Sequence, residues 1–217
     1  MSRNLTMGRK EWFFLFLLST FWGGSYFFNK VILRELEPFA LVFGRTTLAA
    51  IVLVVAVYAT GRKLPSSLAA WKTFLVMGVI NNLIPFSLIV WGQQYIDSGL
   101  ASILNTTTPL ISVVLAHFLT DEETLTVNRV VGLLLGIAGV TVIMGPGTLA
   151  GIGTQGWAQL AMLGAALSYA LAGIYGRRFR GMPLIIPAAG MLTCSAVTML
   201  PIVLLTGQFP RSQPGLT

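Results

Sequence analysis

The sequence predicts an all-α fold, a polytopic bundle of transmembrane helices. Of its 217 residues, 55% are hydrophobic and only 10% are charged, and the mean hydropathy is +0.80. Soluble domains carry about 25% charged residues. Apolar stretches of about 20 residues recur along the chain, and a helix of that length crosses a hydrocarbon core of about 30 Å. We therefore expect the chain to lie in a lipid bilayer.

The first apolar run, Trp12 to Phe28, follows a basic N-terminal segment. A cleaved signal peptide is the alternative interpretation. The run is longer than a typical signal core, lacks an Ala-x-Ala cleavage pattern and continues beyond Asn29, so we predict a retained first helix. Polar or small residues recur on one face of this helix, at Ser19, Trp22, Gly23, Tyr26 and Asn29.

Helix 2 is predicted from Pro38 to about Thr60, because proline in the first turn is typical of a helix start. Arg45 lies about 10 Å along its axis. An arginine inside a span is by default a candidate functional residue. Two roles remain open for Arg45: binding an anionic substrate group, or holding helix ends together through backbone carbonyls.

Helix 3 is predicted from about Thr73 to Tyr95 and is interrupted in its middle by asparagines and a proline. Proline bends a helix and frees carbonyls for other partners. Gly78, Asn82 and Pro85 share one face, so we expect Asn82 to border a cavity. A purely structural kink is the alternative.

Helix 4, Ser98 to Thr120, and helix 5, Val127 to Gly145, are joined by an acidic hairpin that carries Asp121, Glu122 and Glu123. Polar side chains at bilayer depth are costly against lipid and tolerated around a cavity. Alternatively, the hydroxyls bond their own helix and the asparagine joins two helices. The residues concerned recur at steps of three and four, at Ser102, Asn105, Thr106, Pro109 and Ser112.

Helix 5 presents a glycine face, Gly132, Gly136 and Gly139, which permits close approach of another helix. We expect the partner to lie within the chain, with a homodimer contact as the alternative. Pro146 then opens a glycine-rich loop that extends to Thr154.

Helix 6, Trp157 to Tyr175, and helix 7, Pro183 to Thr206, echo helices 1 and 2. Trp12 and Trp157, like Pro38 and Pro183, are 145 residues apart. This offset predicts a five-helix repeat over residues 1–145, with a partial second copy over 146–217. An odd number of helices inverts the second copy in the membrane. Arg45 then corresponds to Gly190, so the second copy lacks the charge.

The net charge of +7 comes from short basic clusters between the apolar spans. This distribution indicates membrane topology and excludes a nucleic-acid-binding face. Ten basic residues fall on one side, against Lys30, Arg34 and Arg211 on the other. By the positive-inside rule the N-terminus and the acidic hairpin are cytoplasmic, and the 146–154 loop faces outward. The ten are Arg3, Arg9, Lys10, Arg62, Lys63, Lys72, Arg129, Arg177, Arg178 and Arg180.

The spans carry no residue pattern typical of an enzyme. Cys194 is the sole cysteine and His117 the sole histidine. No acid–base pair, Ser/His constellation or histidine-rich cluster lies within the apolar stretches. We therefore expect no catalytic residues, no metal site and no cofactor.

A resemblance to a known family adds to these inferences. The pattern formed by Ala101, Ser102, Asn105, Pro109, Leu110, the segment 119–123, Thr126, Gly132 and Gly139 resembles that of the EamA family within the drug/metabolite transporter superfamily. Trp22 and Gly23 resemble the Trp-Gly motif of the family's first helix, which faces the central cavity. Arg45 and Glu123 match its second-helix arginine and its hairpin acid.

The resemblance implies a ten-helix transporter of small polar or amphipathic metabolites in a bacterial inner membrane, working by alternating access and more often outward. Seven of the ten helices are present here, so we expect either a fragment or a chain completed by another polypeptide. The alternative function is a membrane scaffold or assembly subunit that transports nothing. The expected substrate-cavity residues are Trp22, Tyr26, Asn29, Arg45, Asn82, Asn105, Thr106 and Tyr175.

Overall fold

The computed structural model describes residues 8–120, 126–144 and 154–208, which form seven helices and no strands. The all-α prediction is confirmed. The helices are α1 (Arg9–Ile32), α2 (Pro38–Ala59), α3 (Leu68–Gly92), α4 (Ser98–Leu119), α5 (Val127–Met144), α6 (Thr154–Tyr175) and α7 (Ile185–Thr206). Five of these described helices are long and apolar enough to cross a membrane: α2, α3, α4, α6 with the short 3₁₀ turn that follows it, and α7.

The helix limits follow the predicted ones closely, with one clear difference. Helix α3 begins at Leu68 rather than Thr73, because the Ser67 hydroxyl accepts a hydrogen bond of 3.2 Å from the Ala70 amide and caps the first turn. The acidic hairpin Asp121–Glu123 and the loop opened by Pro146 lie outside the described residues.

Helices α2 and α7, which the predicted repeat relates to each other, pack together in antiparallel orientation. The start of α2 lies beside the end of α7, where the Phe39 amide donates a hydrogen bond of 3.1 Å to the side-chain oxygen of Gln208. This bond satisfies one of the free amides of the first turn. The buried apolar cluster at this contact comprises Leu41 and Val42 of α2, Met199 and Val203 of α7, and Val90 of α3.

Glycines allow α3 to approach two other helices closely. A Cβ atom on Gly78 would lie 2.6 Å from the Met191 carbonyl oxygen of α7. A Cβ on Gly92 would lie 3.1 Å from the Ala158 carbonyl oxygen of α6. Small residues at such contacts bring helix backbones together in membranes. Helix α3 is therefore held between α6 and α7.

The middle of α3 contains a π-helical turn, Val79–Leu83. In such a turn a carbonyl accepts a hydrogen bond from the amide of the residue five positions later. For the Ile80 carbonyl that residue is Pro85, which has no N–H to donate. The Ser168 hydroxyl of α6 donates to the Ile80 carbonyl instead, at 2.6 Å. The proline therefore frees a carbonyl for a neighbouring helix, as the sequence predicted.

Helix α4 is broken between Asn105 and Thr108. Pro109 offers no amide to the Asn105 carbonyl, and the Thr108 hydroxyl donates to that carbonyl at 2.7 Å. The Thr106 and Ser112 hydroxyls also bond carbonyls of α4, at 2.6 and 2.8 Å. The Thr106 and Ser112 hydroxyls therefore bond within their own helix, which is one part of the alternative interpretation.

The glycine face of α5 contacts another helix at its middle residue, Gly136. A Cβ on Gly136 would lie 2.7 Å from a methyl carbon of Leu110 in α4, whereas no atom of another described helix lies within 4 Å of one built on Gly132 or Gly139. The expected partner within the chain is therefore α4, through Gly136. The homodimer contact remains the alternative interpretation.

Candidate substrate cavity

Two adjoining cavities lie among α1, α2, α3, α4 and α6. The first, here called the arginine cavity, has a volume of about 360 Å³ and includes Asn29, Arg45 and Phe86 in its wall. The second, the asparagine cavity, measures about 650 Å³ and includes Asn105 and Thr106. Small-molecule sites typically occupy about 300–1,000 Å³. The residues that line both cavities are Leu18, Trp22, Tyr26, Asn81 and Tyr169.

Arg45 brings a positive charge into the arginine cavity. Its guanidinium carbon lies 4.0 Å from the centre of the Phe86 ring, a cation–π contact between α2 and α3. The phenol groups of Tyr26 and Tyr169 are close enough to interact with it electrostatically. Within the described part of the chain, no carboxylate pairs with Arg45 and no carbonyl accepts a hydrogen bond from it. The contacts therefore do not support a role in holding helix ends.

Tyr26, which lines both cavities, and Asn105, which lines the asparagine cavity, each carry an unpaired polar atom. Their side chains are 5% and 7% exposed. The Tyr26 hydroxyl lies beside the Trp22 indole and the Asn105 amide, but neither contact completes a hydrogen bond. The Asn105 amide oxygen likewise has no partner among the described residues. An unpaired buried polar atom costs about 1–3 kcal/mol. Both atoms have almost no surface open to solvent, so a bound molecule reaches them only if the side chains turn toward the cavities.

The α1 wall of the cavities is fixed by the end of α3. Gln93 is fully buried; its amide nitrogen donates to the Tyr26 carbonyl at 2.8 Å, and its amide oxygen accepts from Asn29 at 3.3 Å. The Lys30 ammonium donates to the carbonyls of Gln93 and Ile96, at 2.5 and 3.0 Å. A cation at a helix C-terminus is favourable. These bonds set the position of two cavity residues.

Six of the eight residues expected at the cavity line one or both cavities: Trp22, Tyr26, Asn29, Arg45, Asn105 and Thr106. Asn82 and Tyr175 line neither. That the six contact substrate stays a prediction.

Asn82 is turned away from the cavities by the geometry of α3. It is 2% exposed and donates a hydrogen bond of 3.1 Å to Ser195 of α7. The π turn adds a residue to the helical turn, so Asn81 lies at the cavities and Asn82 lies with Gly78 on the face that packs against α7. Tyr175 ends α6, where its ring lies 4.6 Å below the Arg178 guanidinium.

Sequence reasoning missed Asn81 and Tyr169 as cavity residues. Tyr169 contacts Trp22 edge to face, with ring centres 6.1 Å apart. A signal was present for each residue. For Tyr169 the signal is its place beside Ser168, since both are polar residues in the middle of a helix otherwise rich in alanine, glycine and leucine. For Asn81 the signal is Gly78, which indicates that the neighbouring Asn82 lies on a face in close contact with another helix.

Comparison with known proteins identifies the family. The model of the EamA-like transporter family matches residues 9–145. The relative named "Uncharacterized transporter YoaV", from Bacillus subtilis (strain 168), is 27% identical over 180 residues, covering 82% of this chain and 61% of the relative. "Uncharacterized inner membrane transporter YedA", from Escherichia coli (strain K12), is 27% identical over 191 residues, covering 86% and 60%.

A solved structure supports the fold. The chain titled "Crystal structure of protein" is 20% identical, with a TM-score of 0.58, and the alignment covers 91% of this chain and 70% of that chain. The present chain spans about three fifths of the length of YoaV and YedA. By the family match over residues 9–145, this multi-pass membrane chain belongs to the EamA-like transporter family.

Proposed function

We propose that the protein exports small polar or amphipathic metabolites across a bacterial inner membrane by alternating access. The observation that carries this proposal is the pair of adjoining cavities. Their walls include Trp22 of α1, Arg45 of α2 and Asn105 of α4, which all lie far from the helix ends. Relatives named as transporters, one of them an inner membrane transporter, support it.

The backbone around the cavities is suited to binding within a membrane. Irregular backbone at bilayer depth is tolerated where it lines a cavity or is buried in protein. The π turn of α3 carries Asn81 and the break in α4 carries Thr106, and both residues line the asparagine cavity. Interrupted helices at a midplane site are typical of secondary transporters.

The packing of α2 against α7 supports alternating access. In transporters built from inverted repeats, one repeat rocks against the other around a central site. Helices α2 and α7 correspond under the predicted repeat and are antiparallel. Arg45 lines the arginine cavity, whereas the ring of Phe74 occupies the space beside its counterpart Gly190. Of these two corresponding positions, only the one in the first repeat therefore carries a charge.

The outward direction and the cytoplasmic N-terminus rest on the family resemblance and the positive-inside rule. A test that needs no known substrate compares metabolites in medium and cells by mass spectrometry. Cells would carry an empty vector, the wild type, or Asn105→Leu, with exposed Asn128→Leu as the matched control.

We expect the wild type and the control to enrich one or more metabolites in the medium, and Asn105→Leu to abolish that enrichment. Depletion from the medium would reverse the direction. Identical profiles for all strains would contradict transport and favour the scaffold alternative.

A further inference from the structure

We infer that the cavities select an amphipathic organic acid with one negative charge. Its acid group pairs with Arg45, and its apolar or aromatic body lies among the aromatic side chains of the wall. This inference rests on the proposed transport function and adds the chemical class of the substrate.

The charge of the site carries the first step. Arg45 is the one ionised side chain in the walls of the two cavities, as far as the structure describes the chain. The acids within that part, Glu11, Glu35, Glu37 and Asp97, are all exposed and lie near helix ends. A cation in a low-dielectric site is costly without a counter-charge. One negative charge on the substrate balances it, whereas a dianion leaves an excess.

The geometry of Arg45 carries the second step. The ring of Phe86 occupies one face of the guanidinium. Its N–H groups lie in the guanidinium plane, and none is used by a carbonyl or carboxylate of the described chain. A planar fork of free N–H groups matches a carboxylate, which it binds through two parallel hydrogen bonds. The acid group is therefore best a carboxylate.

The aromatic wall carries the third step. Trp22 is 50% exposed and meets Tyr169 edge to face, and Phe21 and Phe86 line the arginine cavity. Aromatic side chains provide large apolar surfaces for the body of a ligand. Tyr26 lines both cavities beside this wall. A simple inorganic anion would pair with the charge of Arg45 but would leave the aromatic surface of the wall uncovered.

The test is equilibrium binding of phenylacetate to the protein in phosphatidylcholine nanodiscs. Phenylacetamide serves as the neutral isostere, and acetate as the acid without a body. We expect phenylacetate to bind at least about tenfold more tightly than either, since one charged contact is worth at least that factor. Arg45→Gln should abolish the preference over phenylacetamide, Arg45→Lys should keep part of it, and exposed Arg34→Gln should keep all of it.

Three results would overturn the inference. They are equal affinity for phenylacetate and phenylacetamide, binding of neither compound, and a preference for phenylacetate that survives Arg45→Gln. A lipid headgroup is the other source of an anion. If phosphatidylglycerol in the nanodisc displaces phenylacetate, Arg45 is a lipid contact and the inference fails.

The two proposals fail separately. If Asn105-dependent export of a neutral metabolite is found, the substrate class is wrong and transport stands. If phenylacetate binds through Arg45 while no metabolite depends on Asn105, transport is wrong and the ligand class stands.

Discussion

Gln93, directly after α3, donates a hydrogen bond of 2.8 Å to the Tyr26 carbonyl in α1. The same side chain accepts from Asn29. A fully buried amide whose two ends are both used fixes the groups that it bonds. The position of two cavity residues is thus set from outside the cavities.

Replacing Gln93 by leucine should loosen the α1 wall. The variant leaves the Asn29 amide nitrogen buried and unpaired, which costs about 1–3 kcal/mol. We expect lower stability in chemical unfolding and weaker phenylacetate binding. The matched control is Gln94→Leu, because Gln94 is the exposed neighbour. Equal losses in the two variants would contradict the positioning role.

Ser168→Ala should destabilise the protein by about 1–3 kcal/mol, because the Ile80 carbonyl loses the hydrogen bond from the Ser168 hydroxyl. The control is Ser19→Ala, whose hydroxyl is exposed and bonds the Leu15 carbonyl of its own helix.

A double-mutant cycle with Pro85→Ala tests the cause of that loss. Alanine at position 85 restores an amide for the Ile80 carbonyl, so Ser168→Ala should cost less in that background. Additive effects of the two substitutions would show that the hydroxyl does not replace the missing proline N–H.

The orientation is tested by reporter fusions. Fusions after Lys63 and after Arg178 should report a cytoplasmic location, and fusions after Arg34 or within the 146–154 loop an external one. The physical reason is the bias of basic residues toward one side. The reverse pattern would exclude a cytoplasmic N-terminus.

If residues 1–217 set the mechanism, transport should not be driven by a carboxylate-based proton antiport. Proton-coupled carriers place acids within their spans, whereas the acids among the described residues are exposed near helix ends. We expect facilitated diffusion or exchange, measured as flux of the exported metabolite into proteoliposomes with and without a pH gradient. Uphill accumulation that persists in His117→Gln would contradict this expectation. Accumulation lost in that variant would make His117 the coupling group.

The sequence was sufficient for the helices because length and apolar composition determine them. Hydropathy placed α2, α4 and α7 closely, and Pro85 and Pro109 marked where backbone carbonyls need other donors. These properties depend on local chemistry, so they are visible without a fold.

The rotation of side chains about a helix axis was less predictable. Asn81 and Asn82 are adjacent, and the one-residue insertion of a π turn decides which of them meets the cavity. Nothing in the local sequence distinguishes the two except Gly78, whose face lies against α7. Gln93 escaped notice because its role depends on Tyr26 and Asn29, more than 60 positions away.

The central claim is that the asparagine cavity, among α1, α3, α4 and α6, is accessible to water. It is tested most directly by single cysteines in a Cys194→Ala background, treated with a small water-soluble methanethiosulfonate. We expect Trp22→Cys, Asn105→Cys and Tyr169→Cys to react, and Met199→Cys, at a fully buried position between α2 and α7, to stay protected. Exposed Ser66→Cys should react in every preparation. Protection at positions 22, 105 and 169 together, with Ser66→Cys labelled, would contradict the cavity.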